Sequence, residues 1–157
     1  MNHLEAIGAL VLCGLLVCLS YFDALERRLP NWLVLGVALL ALASTFVQSI
    51  CLASLAPFAS SGIGLLLSAG PALILSCLYR LLRGADGFGA GDIKLLAALG
   101  LYFGPVGIFI LPLASVLALG YFLAHTPFKK SKKAQGQSIA FGPFISLAVL
   151  ILLMACL

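Results

Sequence analysis

The 157-residue chain is 63% hydrophobic and 9% charged, with a net charge of +4 and a mean hydropathy of +1.21. A soluble domain of this length cannot hide so much apolar surface, since ordinary globular chains run near ~45–50% apolar and ~25% charged. The nine basic residues fall in short loops between apolar runs, where they report membrane topology and not nucleic-acid binding. Cys13, Cys18, Cys51, Cys77 and Cys156 are scattered through the apolar runs with no Cys-x-x-Cys pair, so neither a zinc site nor a disulfide framework is expected.

Leu4 to Phe22 is an apolar run of 19 residues, long enough to cross a bilayer. No basic stretch precedes it, Glu5 is the one charge near its start, and basic residues follow it, so it reads as a first transmembrane helix with its amino end outside. Asp23, Glu26, Arg27 and Arg28 then form a polar junction that ends in a break at Pro30-Asn31, and Trp32 is placed to sit at headgroup level. Trp32 to Ala53 makes a second span. A third apolar stretch runs from Pro57 to Leu82, with Gly62, Gly64, Gly70 and Pro71 inside it; small residues there allow close helix packing and Pro71 favours a kink.

Gly84 to Leu96 places two carboxylates, Asp86 and Asp92, and Lys94 among four glycines. Glycines let the backbone turn sharply and approach another chain closely. Asp92 opens the next apolar run, where its carboxylate can cap the helix and gain from the helix dipole. Ile93 to Ala124 is 32 residues of nearly unbroken hydrophobicity, about 48 Å as one helix against a hydrocarbon core of about 30 Å. A turn at Gly104-Pro105 divides it into a short first part and a second part. That turn puts Arg27, Arg28, Arg80, Arg83, Lys94 and the lysines at 129, 130, 132 and 133 on one side, which the positive-inside rule makes cytoplasmic. A last span runs from about Ile139 to Leu157. The expectation is an all-α polytopic membrane protein forming a single domain over residues 1–157, with about six transmembrane helices, the fourth short, and the N-terminus outside.

In that topology Asp23 and Asp92 meet one membrane face. Either could simply pair with Arg27, Arg28 or Lys94 at the interface. A carboxylate at a membrane helix end is nonetheless costly to desolvate and marks function or a partner. Two carboxylates that converge cannot both ionise cheaply, so one can act as base toward a water while the other protonates a departing amine.

Phe22-Asp23, Arg28-Leu29-Pro30-Asn31, Gly89-Ala90-Gly91-Asp92-Ile93-Lys94-Leu95-Leu96 and Phe141-Gly142-Pro143-Phe144 together resemble the type IV prepilin peptidases, intramembrane aspartyl proteases of the GxGD class. The likeness covers about Tyr21 to Phe144, and the Gly-Asp motif with its following Lys-Leu-Leu is the most specific part. It implies that Asp23 and Asp92 are the catalytic pair, that Gly89 and Gly91 shape the loop presenting Asp92, and that Lys94 fixes that loop or pairs with an aspartate. Asp86 and Glu26 are read as solvated loop acids outside the chemistry.

The resemblance further implies cleavage of the short basic leader of prepilins or pseudopilins at the cytoplasmic face of the bacterial inner membrane. The substrate would carry its own transmembrane helix into the bilayer; no cofactor, metal or nucleic acid is implied. Larger family members carry an extra amino-terminal region with paired cysteines and also methylate the new terminus. This sequence shows neither such a region nor a cysteine pair, so the expectation is a short, peptidase-only member without N-methyltransferase activity, or one half of a split arrangement. Two rival readings share the six apolar segments. They are a transporter subunit, which would show aspartate-dependent flux, and a non-catalytic pilus or secretion assembly factor, which would tolerate loss of either aspartate.

Overall fold

A computed structural model describes residues 3–26, 29–83, 89–125 and 141–156. Arg27, Arg28, Asp86 and the lysine-bearing stretch 129–133, with the side chains of Glu26 and Arg83, lie outside the described residues. The described part is all-α: α1 His3–Glu26, α2 Asn31–Leu52, α3 Ala56–Arg83, α4 Ala90–Phe103, a 3-10 segment Gly104–Phe109, α5 Ile110–His125 and α6 Gly142–Cys156. Among the described residues, four helical runs are long and apolar enough to cross a membrane: Ala6–Asp23, Asn31–Leu52, Ala56–Leu82 and Ala90–Ala124, while Gly142–Ala155 is shorter. The protein is a multi-pass membrane protein in the sense that this many apolar helices require.

The last of the four long runs is not straight. Gly104 ends α4 at φ +59°, a backbone region glycine adopts without steric cost. Pro105 follows inside the 3-10 segment, at a first-turn position that needs no N–H donor. A Cβ on Gly107 would lie 3.1 Å from the Gly100 Cα, so the segment folds back on α4. Alone, α4 spans 14 residues, about 21 Å.

Side-chain contacts fix the directions of the remaining helices. Gly8 lies against the Tyr102 hydroxyl, and Leu29, just past the end of α1, lies against Gly91 at the start of α4, so α1 and α4 run antiparallel. Asp23 meets Gly142, which makes α6 antiparallel to α1. Tyr121 packs on Phe144 with ring centroids 5.6 Å apart, and Phe109 and Val116 share a groove with Ile151 and Ala155, so α5 runs antiparallel to α6. The starts of α4 and α6 and the ends of α1 and α5 therefore gather at one end of the bundle. The start of α2 joins them through Asn31, which meets Lys94.

Two kinds of contact hold the helices. The first is a glycine seam between α3 and α4. Cβ atoms on Gly64 or Gly100 would strike the partner's backbone, at the Gly100 and Gly104 carbonyl oxygens in one case and the Gly64 carbonyl in the other. Only glycine permits that backbone approach, and in hydrocarbon close packing replaces the hydrophobic effect as the source of helix association.

The second is hydroxyl bonding across helices. Thr45 and Ser61 pair at 2.9 Å, Ser68 donates to the Leu96 carbonyl at 2.9 Å and Ser146 to the Leu16 carbonyl at 3.3 Å. Each such bond contributes about 0.6–2 kcal/mol within a membrane. Between these contacts lies an apolar core that includes Leu12, Leu16, Leu19, Val37, Leu95, Leu99, Ile145 and Val149.

Gly100→Leu should destabilise the protein by about 3 kcal/mol or more, because the added side chain meets backbone that cannot swing aside. Thermal unfolding in detergent checks this; Gly120→Leu, at a position where a Cβ meets nothing within 4 Å, should cost far less.

Candidate active site

The two aspartates are set by the same local rule. On α1, Leu12, Leu16, Leu19 and Asp23 recur at helical spacing, and all four are buried; Asp23 is only 5% exposed. On α4, Asp92 is followed at helical spacing by the buried Leu95, Leu96 and Leu99. Each aspartate thus crowns an apolar stripe that faces the bundle interior. Both stripes enter one core cluster, and because α1 and α4 are antiparallel their polar ends coincide. The charge of Asp23 acts on the Asp92 carboxyl.

Asp23 has a specific donor. Its Oδ2 accepts the Gly142 backbone N–H at 2.8 Å. Phe141 accepts the first intrahelical bonds of α6, from Phe144 and Ile145, so Gly142 occupies the first helical position. Its N–H has no partner within the helix. Pro143 follows where a missing N–H costs nothing. The Asp23 carboxylate therefore caps a helix to which it does not belong, and the positive end of the α6 dipole faces it. A Cβ on Gly142 would lie 2.5 Å from Oδ2 and 3.1 Å from the Asp23 Cβ.

Asp92 is half-buried and lies in the first turn of α4. The helix is capped by Gly89, whose carbonyl accepts from the Asp92 and Ile93 N–H groups at 3.1 and 3.3 Å. Asp92 is therefore a first-turn residue and not the N-cap. It folds back toward Gly89, where a Cβ would stand 3.1 Å from Oδ2. Gly91 packs against Leu29: a Cβ there would lie 3.0 Å from the Leu29 Cβ. Gly89 thus leaves room for the carboxylate, while Gly91 lets the α1–α2 junction seat against the start of α4.

Lys94 sits two residues beyond Asp92, on the opposite side of α4. Its Nζ donates to the Asn31 Oδ1 over 3.4 Å, a long bond from an exposed group. That contact ties the start of α2 to the start of α4. It also forms the polar end of a shallow groove of about 400 Å³, otherwise lined by Val34, Leu35, Ala38, Ala97, Ala98 and Leu101. The groove opens on the face of α4 turned away from Asp92. Phe22 packs edge-on against Trp32 with centroids 6.0 Å apart, closing the α1–α2 corner beside Asp23.

Of the residues singled out in the sequence, Asp23, Asp92, Gly89, Gly91 and Lys94 all fall at one end of the bundle. Gly142 and Leu29 had no individual role assigned from sequence; the signal for each was its place in a Phe-Gly-Pro-Phe or Arg-Leu-Pro-Asn stretch. Among the described residues, no three His, Cys, Asp or Glu side chains converge to hold a metal ion.

Comparison with known proteins bears on this arrangement. The family model for the type IV leader peptidase family matches residues 10–124, a span that contains both aspartates. The chain belongs to this family. Its relatives include proteins named prepilin leader peptidase/N-methyltransferase. That of Neisseria gonorrhoeae is 30% identical over 146 residues, covering 90% of this chain and 46% of that protein. That of Aeromonas hydrophila is 32% identical over 145 residues (90% and 47%), and that of Aeromonas salmonicida 34% over 149 residues (90% and 47%). The chain therefore spans about half the length of the curated family members it matches. No solved structure matches it.

The Gly91–Leu29 contact predicts a compensating pair. Gly91→Val should destabilise the protein by about 1–3 kcal/mol through overpacking, and Leu29→Gly in the same chain, which removes the Cβ that the new side chain meets, should recover part of that loss. A double-mutant cycle of unfolding free energies in detergent checks the coupling.

Proposed function

We propose that this protein is an aspartic endopeptidase that removes the basic leader of prepilins or pseudopilins. Asp23 and Asp92 are its catalytic pair. The observation that carries this reading is their meeting at one end of the bundle, from distant parts of the chain, in a member of the type IV leader peptidase family. The relatives' names supply the substrate class.

One carboxylate takes a proton from a water held between the pair, and the resulting nucleophile attacks the scissile carbonyl. The other carboxyl group gives its proton to the departing amine as the tetrahedral intermediate collapses. The water's oxygen ends in the new carboxylate of the leader, and the pair returns to its starting state with one proton exchanged. The two groups titrate as a unit, so the cycle needs the singly protonated pair and neither residue alone owns a pKa. The surrounding leucine stripes keep bulk water out and strengthen each charge–dipole contact.

In the proposed topology six segments traverse the inner membrane with the N-terminus outside. The α4–α5 reversal makes the fourth crossing short, and the aspartates open to the cytoplasm. This side follows from the nine basic residues of the sequence and the positive-inside rule. A substrate entering from the bilayer would keep its apolar segment in lipid while its leader lies across the cytoplasmic end of the bundle.

Asp23→Asn and Asp92→Asn keep size and polarity but remove the proton exchange. Each should lower cleavage of a co-expressed prepilin by about 10²-fold or more while inserting at the wild-type level, read by immunoblot of precursor and mature pilin. Wild-type cleavage by either variant rules out the two-aspartate mechanism.

The pH–rate profile of the purified enzyme should be bell-shaped. The rate falls at low pH when both carboxyls are protonated and no base remains, and at higher pH when both are ionised and no acid remains. A flat profile across both limbs contradicts the shared-proton cycle.

A further inference from the structure

We propose that Gly142 is a positioning residue for Asp23: its backbone N–H and its missing side chain together hold the Asp23 carboxylate in the orientation that faces Asp92. The proposal rests on the two-aspartate reading above and adds a third element to it, drawn from the last helix.

The geometry carries this in two independent ways. First, the Asp23 Oδ2 accepts the Gly142 N–H at 2.8 Å. This bond engages one carboxylate oxygen and fixes the side-chain rotation, leaving the other oxygen for water or for Asp92. At 5% exposure, Asp23 has little solvent to offer a competing donor, so a main-chain N–H at a helix start is a firm anchor. Second, the carboxylate occupies the space a side chain on residue 142 would fill, since a Cβ would stand 2.5 Å from Oδ2 and 3.0 Å from Cγ. The nearest atom is the tip of a rotatable side chain, and the Asp23 Cβ, 3.1 Å away, has to give by only a few tenths of an ångström. Gly142→Ala therefore swings the carboxylate and shifts the α1–α6 contact slightly without unfolding the protein.

The α1–α6 contact has a second tether one turn on, where Ser146 donates to the Leu16 carbonyl at 3.3 Å. That bond joins the same two helices without touching either aspartate. It separates positioning of Asp23 from simple docking of α6.

The test compares full-chain Gly142→Ala and Ser146→Ala with wild type in detergent, using a purified prepilin as the cleavage probe. Gly142→Ala is expected to lower kcat by about 10²-fold, the scale of an ångström-level misplacement, with KM within about twofold of wild type. It should also move one limb of the pH–rate profile, whereas a loss of folded enzyme would lower the whole profile in proportion. Ser146→Ala should leave both near wild type.

A second readout needs no substrate. In aspartate-labelled protein, the infrared carboxylate band that disappears in Asp23→Asn should shift in Gly142→Ala and stay in place in Ser146→Ala. Wild-type kcat in Gly142→Ala overturns the proposal. So does a parallel loss in both variants with an unchanged profile shape, or an unmoved band. If wild type itself cuts no prepilin, the peptidase reading fails. The infrared comparison then decides alone: a shifted band upholds the hold of Gly142 on Asp23, and an unmoved band removes it.

Discussion

A carboxylate at the end of a leucine stripe, almost without solvent, must find a donor inside the protein, and here the donor is the main chain of another helix. The Asp23–Gly142 contact satisfies a buried oxygen and an orphan helix N–H at once. The arrangement of α1 and α6 follows from it. Below that contact, Ser146 meets the Leu16 carbonyl, and Ile145 and Val149 join Leu12, Leu16 and Leu19 in the core. An apolar residue at 23 would leave the start of α6 without a partner, and any residue larger than glycine at 142 would displace the carboxylate.

The other half of the site is held by steric means. Gly64, Gly100 and Gly104 bring the backbones of α3 and α4 together, and the same helix start that carries Asp92 is seated on Leu29 through Gly91. Polar bonding places one aspartate and close packing places the other. The division suits a membrane interior, where apolar side chains gain nothing by leaving lipid and association depends on packing and on satisfied polar groups. Lys94 belongs to neither mechanism; it ties α4 to α2 through Asn31 on the far side of the helix.

The charge pattern around the site bears on the substrate. In the proposed reaction a basic leader would meet Asp23 and Asp92 at the end of the bundle to which the proposed topology also assigns all nine basic residues. The short α4 and its reversal at Gly104 bring the end of α5 back to the same face, where Tyr121 packs on Phe144 next to Gly142. Of the last two helices, α6 meets Asp23 directly and α5 packs behind it.

Much of this was legible in the sequence because membrane helices obey strong one-dimensional constraints. Composition and run length gave an all-α membrane protein. The Gly89–Leu95 motif marks Asp92 as unusual, whereas the run from Leu4 to Phe22 is apolar on nearly every side, so the buried face that carries Asp23 was not readable from spacing. Sequence could not give the capping of Asp23 by a main-chain N–H, since a backbone donor has no residue signature. Nor could it distinguish Asp92 as a first-turn residue from Asp92 as the cap, because both readings place an acid at a helix start. The partner of Lys94 was equally hidden, since a lysine side chain reaches several turns of neighbouring helix and only packing selects Asn31. Sequence determined which groups must be buried together; tertiary structure decided which atoms answer them, because that choice depends on distances between segments that are remote along the chain.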